Sequence, residues 1–300
     1  MSKTTSINPN DLTQPERHKL LLTAVAPRPI CFASTVDVEG NVNLSPFSFF
    51  NVFSSSPPVM VFSPARSGRD GTLKHTLQNI YDVPEVVINV VNYGIVEQMS
   101  LSSTAYDKGV NEFIKAGLQQ IPSDHIKPPR VGEAPVAFEC TVDQVIELGD
   151  NGGAGNLVIA KVVMIHVNDE YLDEAGNLDT QKLDLVARMG GNWYCRANGD
   201  AIFEIPKPLR TKGIGVDGLP EYVRNSPVLT GNDLGRLGTI DALPDQADID
   251  NCKSSPQLSK ILQSALSQSE QLTKVHSLAQ QELAQGDILK ALGILMSIAW

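Results

Sequence analysis

Two strand-like runs constrain this chain most: "VAFECTVDQVIEL" from Val136 and "LVIAKVVMIHV" from Leu157, joined only by "GDNGGAGN". A link that short and glycine-rich cannot carry a crossover helix, so the two runs must pair as an antiparallel hairpin. Within the first run, Phe138, Cys140 and Val142 alternate with Glu139, Thr141 and Asp143. Period-two alternation predicts one buried face and one wet face.

The preceding 130 or so residues read the same way. "ICFASTVDV" is strand-like, "EGN" at 39–41 supplies a turn, and the chain returns through "VNLSPFSFF". Pro58 opens "VMVFS", and "EVVINVV" at 85–91 is a buried strand. Helices are inserted between them. Thr13 and Glu16 form a capping box ahead of "ERHKLLLTAV", and Asp70 is placed to cap a helix through "GTLKHTLQNI". Strands with occasional helices, rather than a regular βαβα order, favour an antiparallel barrel.

The texture changes near Lys207. Residues 208–256 contain Pro208, Pro220, Pro227, Pro244 and Pro256 among many Gly and Asp, and read as an irregular arm. Leu258, Ile261, Leu262, Leu272, Val275 and Ala279 then recur at helical spacing. Gly286-Asp287 ends that helix and starts another over 288–299, with His276 on the helix surface. The expected division is therefore 1–207 and 208–300.

Charge narrows the partners. The net charge of −10 argues against nucleic acid or an anionic membrane as the main partner, because phosphate backbones need a basic face. "MSKTTSINPN" has no apolar signal core, and "ILKALGILMSIAW" is too short to span a bilayer. Cys31, Cys140, Cys195 and Cys252 form no C-x-x-C pair and no zinc spacing. Reduced thiols, no metal and a cytoplasmic location are the expectations.

Against that acidic background, "RSGRDGTLKHT" at 66–76 is notable. Gly68 and Gly71 let backbone amides approach a ligand, Ser67, Thr72 and Thr76 bring hydroxyls, and Arg66, Arg69 and Lys74 bring charge. An anion needs such a set at a helix start, although composition alone favours a solvated loop with a basic helix start. "NLSPFSFFN" at 43–51 mixes small polar groups with Phe47, Phe49 and Phe50, which suits the edge and faces of a flat polar ring. It also suits an ordinary strand and loop with core phenylalanines.

Together the pieces resemble a known family. "APRPICFASTVDVEGNVNLSPFSFFNVFSSSPPVMVFS", "KHTLQNI", "EVVINVV", "VNEFIKAGLQQIPS", "PPRVGEAPVAFECTV" and "RMGGNWY" follow the order of the flavin reductase-like proteins of the FMN-binding split-barrel superfamily, the flavoredoxin branch in particular. The resemblance spans roughly residues 20–205. It implies a mainly β, six-stranded antiparallel Greek-key split barrel with inserted helices, followed by an irregular and helical C-terminal extension. It also implies a homodimer with FMN near the dimer interface.

Carried across, Thr35, Asn43, Leu44, Ser45, Ser48, Phe49 and Asn51 line the flavin, while Ser63, Arg69, Lys74 and Thr76 serve its ribityl chain and phosphate. His166, Arg188 and Tyr194 wall the pocket from the partner subunit, or else serve plain packing. No side chain is expected to act as a nucleophile or base. The implied activity is an oxidoreductase, an NAD(P)H:flavin reductase or flavoredoxin-like electron carrier. The alternatives are a non-catalytic FMN storage or sensor protein, and a reductase whose C-terminal helices dock a partner monooxygenase. Asn156 stands where many stand-alone reductases carry His.

Overall fold

The computed structural model describes residues 3–205 and 212–298. The chain divides into two compact units, Met1–Phe203 and Glu204–Trp300. The boundary expected at 207/208 lies outside the described residues.

The first unit carries β1 (Cys31–Val36), β2 (Val42–Phe47), β3 (Phe50–Ser55), β4 (Pro58–Phe62), β5 (Glu85–Val90), β6 (Gln120–Ile121), β7 (Arg130–Val131), β8 (Val136–Glu147), β9 (Asn156–Val167), β10 (Leu185–Arg188) and β11 (Tyr194–Ala197). Its helices are α1 (Gln14–Ala24), α2 (His75–Asp82), α3 (Val96–Leu101), α4 (Glu112–Ala116) and α5 (Thr180–Leu183). Seven strands form one antiparallel sheet in the order β2-β1-β5-β8-β9-β4-β3.

β2 and β3 occupy opposite edges of that sheet, yet only Ser48 and Phe49 separate them in the chain. The three Cα steps from Phe47 to Phe50 reach at most about 11 Å. The two edges must therefore meet, and the sheet must roll into a barrel split along this seam. The Phe47 and Phe62 rings lie 5.6 Å apart across it, and the Ser63 amide donates to the Phe49 carbonyl at 2.8 Å.

The sheet has seven strands where six were expected. The additional one is β3, which the Ser/Phe stretch conceals. As a largely exposed edge strand it has none of the alternation that marks a half-buried one. Register shifts in β8 at Glu139/Cys140 and at Val142/Gln144 are bulges that help the sheet curl. They also overturn part of the expected alternation. Glu139 is fully buried, where it accepts hydrogen bonds from the Asp124 and His125 amides and pairs with His166.

Inside the barrel, Phe62, Ile88, Cys140 and Val158 pack with Leu77 and Ile80 of α2. Outside it, Phe32 and Leu44 pack under Met99 of α3 and Phe113 of α4. The capping box at Thr13 is present at the start of α1. The helix expected from Asp70 instead begins at His75. Gly71 has φ +72°, left-handed backbone that no helix can run through, so Asp70 closes a turn on Thr72.

The second unit corrects the expected arm and helix pair. Residues 212–298 form α6 (Glu221–Arg224), α7 (Gly231–Leu237), α8 (Gln246–Lys253), α9 (Pro256–Leu262), α10 (Gln268–Ala284) and α11 (Ile288–Met296). They share a core of their own that includes Val223, Leu237, Leu258, Leu283 and Leu292. The single helix expected over 258–279 is broken between Leu262 and Gln268, where Ser267 and Glu270 form a new capping box. His276 is buried, not on the surface, with Nδ1 2.6 Å from the Ser226 hydroxyl. Residue 299, the expected end of the last helix, lies outside the described residues.

Candidate functional site

A cavity of about 290 Å³ runs along the end of β2 and the seam, lined by Ser45, Pro46, Phe47, Ser48 and Phe49. His18 and Leu22 of α1, Ser63, Ala65, Lys74 and Ser103 close it. A second cavity of about 360 Å³ shares Pro46, Phe47, Ser48 and Ser103 with the first. It continues past Ile30, Met99 and Ser100 to Arg188, Asn192 and Tyr194. The shared residues make the two cavities neighbours in one trough, with Lys74 lining the first and Arg188 the second.

Two serines are set as donors to this trough. The Ser63 hydroxyl oxygen accepts from the Asn156 amide at 3.0 Å, and the Ser48 oxygen accepts from Arg28 Nε at 3.4 Å. Each oxygen is oriented by that bond while its own hydrogen stays available. Asn156 is buried and also donates its side-chain amide to the Pro64 carbonyl at 2.7 Å, which fixes the segment carrying Ser63.

Of the eleven residues expected to line a flavin, Ser45, Ser48, Phe49, Ser63 and Lys74 meet at the first cavity. The others do not join them. Thr35 is fully buried and accepts from Asn79 of α2 at 3.2 Å. Asn43 donates to Thr76 at 2.8 Å, also in the interior. These two bonds tie β1 and β2 to α2. The Leu44 side chain belongs to the core, and its amide donates to buried Glu112 at 2.9 Å. Asn51 is exposed on β3, with its side-chain oxygen accepting from the Val52 amide. Arg69 is exposed in the 67–72 turn and lines neither cavity.

That basic turn is largely satisfied from within. Arg66 pairs with Glu147 at 3.0 Å. The Arg66 amide donates to Ala154 and its carbonyl accepts from Gly153, which docks the turn on the β8–β9 loop. The Thr72 and Ser67 hydroxyls, with the Thr72 amide, hold the Asp70 carboxyl down at about 2.

Arg188 and Tyr194 line the second cavity of their own chain. Arg188 stacks on Tyr194 with 4.6 Å from guanidinium carbon to ring centroid, and donates to the Gly191 carbonyl at 2.8 Å. His166 lines neither cavity, and its Nε2 lies 2.6 Å from buried Glu139. Sequence reasoning missed His18, Ser103 and Arg28. His18 sits edge-on to Phe49 at 6.5 Å. The sequence signal for Arg28 was a charge between two prolines immediately before a strand whose every residue is buried. The two thiols of the barrel core are held in the protonated, weakly nucleophilic form. Burial pushes Cys31 up, and pushes Cys140 up to about 12.

The family model for the flavin reductase like domain matches residues 24–183, just over half of the chain. The chain belongs to the flavin reductase-like family. A protein of Aquifex aeolicus is 37% identical over 188 residues, 63% of this chain and 93% of that protein. Among solved structures, nitrilotriacetate monooxygenase component B from Bacillus cereus is 29% identical with a TM-score of 0.64, covering 68% of this chain and all of that one. A split-barrel protein of Shewanella frigidimarina is 29% identical with a TM-score of 0.56, covering 66% of this chain and 96% of that one. The rolled sheet is thus a split barrel of a flavin-associated family. The helical unit from Glu204 onward lies beyond the family match. Among the described residues, no helix is long and apolar enough to cross a membrane.

Proposed function

We propose that the trough along β2 holds FMN and that the protein is an oxidoreductase using NAD(P)H as electron donor. The observation that carries this reading is the trough itself. Phenylalanine and proline walls, oriented serine donors and a lysine suit a flat polar ring with an anionic tail. Ser45, Ser48 and Phe49 would hold the ring, and Ser63 and Lys74 the ribityl chain and phosphate.

Bound FMN supplies the redox chemistry, and the protein supplies binding and orientation. Ser48, set by Arg28, would turn its hydrogen to the ring edge. Phe47 and Phe49 exclude water from its face. Lys74 would neutralise the phosphate in the cavity that His18 also lines.

Homodimerisation belongs to this reading. Val52 and Phe53 on β3 and Val163 and Ile165 on β9 are exposed. Apolar surface of that kind commonly marks an interface. A dimer would close the open flank of the trough. A cytoplasmic setting agrees with four free thiols. The likeness to component B of a monooxygenase supports a second reading, in which reduced flavin is passed to a partner enzyme.

The test is FMN against riboflavin in Lys74→Ala. A charge-assisted hydrogen bond is worth about 1.5–3 kcal/mol, so FMN should weaken about 10- to 150-fold while riboflavin stays nearly unchanged. Equal loss of both ligands removes Lys74 from the phosphate. Absence of a flavin absorbance band after reconstitution with FMN removes the reading as a whole.

A further inference from the structure

We propose that the second cavity binds an organic anion, a compact apolar body bearing one carboxylate, beside the ring held in the first. The proposal rests on the flavin reading above and names the class of molecule that would meet the cofactor there.

The argument begins with Arg28. Its side chain is buried at 6% exposure. It donates to the carbonyls of Leu22, Val25 and Met189 and to the Ser48 hydroxyl. Every one of those partners is neutral. Arg28 and Arg188 also exchange backbone hydrogen bonds of 3.0 and 2.9 Å, which sets the two arginines side by side. Among the described residues, no carboxylate pairs with either. Burial first, and the neighbouring Arg188 charge second, pull Arg28 below the ordinary guanidinium range. A buried charge is normally paired because its desolvation is costly. Here two cations stand together in a chain of net charge −10, and no Asp or Glu lines the cavity.

The cavity shows what would offset them. Arg188 gives one hydrogen bond to Gly191 and lies on the Tyr194 ring, which leaves most of its fork free. Asn192 adds an amide. A carboxylate matches a planar fork with adjacent donors. The remaining walls mix Ile30, Pro46, Phe47 and Met99 with Ser100 and Ser103, which suits a compact body with an apolar face behind that head group.

The test uses the purified full chain, with and without saturating FMN, titrated calorimetrically with benzoate and with its neutral isostere benzamide. Wild type should prefer benzoate by about tenfold or more, the size of one charge-assisted hydrogen bond. Arg188→Gln should abolish the preference, and Arg188→Lys should restore part of it. Asn192→Ala should weaken benzoate by about tenfold, which keeps the idea testable should the arginine variant misfold. Equal binding of the two probes, or no benzoate binding, overturns the proposal. So does an Arg188→Gln protein that loses FMN affinity yet keeps the benzoate preference, since the arginine would then serve the flavin phosphate. Should the chain bind no FMN, the flavin reading fails on its own, and benzoate against benzamide on that same chain still decides the arginine pair.

Discussion

Two basic regions of the first unit can be set side by side: the turn at 66–76 and the corner where Arg28 meets Arg188. The turn concentrates charge in the sequence, yet Arg66 is bound to Glu147, Asp70 to Thr72, and Thr76 to Asn43. Lys74 is the residue of that cluster that lines the trough. The corner shows one isolated arginine in "APRPI" and another 160 residues later. In three dimensions they are adjacent and have no acidic partner among the described residues. Density of charge along a chain therefore says little about where charge remains free. That depends on where the acids fold to.

The strongest way to break this comparison is Arg28→Ala. The change removes repulsion with Arg188 but strands three backbone carbonyls and the Ser48 oxygen. Each buried acceptor left unpaired costs about 1–3 kcal/mol, so the loss should outweigh the relief and reach about 3 kcal/mol. Amide exchange of β1 and β5 reports the stability of the first unit separately from the helical unit. A loss below about 1 kcal/mol would mean that the carbonyls are hydrated and the corner is surface-like.

An intermediate effect tests the turn. If Thr76 is a structural partner of Asn43, Thr76→Val should cost about 1–3 kcal/mol in the same exchange measurement. FMN affinity should fall far less than in Lys74→Ala. The reverse pattern, with stability kept and FMN lost, would return Thr76 to the phosphate.

What was legible follows from range. The β8–β9 hairpin, the capping box at Thr13 and the strand at 85–91 rest on neighbours in sequence, and periodicity reveals them. β3 was concealed because an exposed edge strand has little alternation to show. The start of α2 was misplaced because the φ of Gly71, not the capping potential of Asp70, decides it. The helical unit read as an arm because its prolines and glycines suggest breaks. In fact Thr230, Asp245, Ser255 and Ser267 each cap a helix, and Pro256 sits in the first turn of one. At the site, Ser45, Ser48 and Phe49 were legible because a single stretch carries them. Arg28 was not, because residues 22, 25, 48 and 189 together build its surroundings.

The smallest expected effect sharpens the comparison from the other side. Arg66 is the cation the fold has neutralised, so Arg66→Ala should cost less stability than Thr76→Val. Its dependence on pH identifies the partner. The Tyr81 hydroxyl first, and the Arg66 guanidinium after it, hold the Glu147 carboxyl below the ordinary carboxylate range. A depressed folded-state value means that the stabilisation is complete above the unfolded value of about 4.3 and fades as pH falls through the folded one. The difference between wild type and Arg66→Ala should therefore be present at neutral pH and shrink toward zero in acid. Salt should shrink it as well, since the Glu147 end of the pair is open to solvent. A difference that persists unchanged at low pH would show that Arg66 acts by packing against the β8–β9 loop and not by charge. The basic turn would then be neutralised by something other than Glu147.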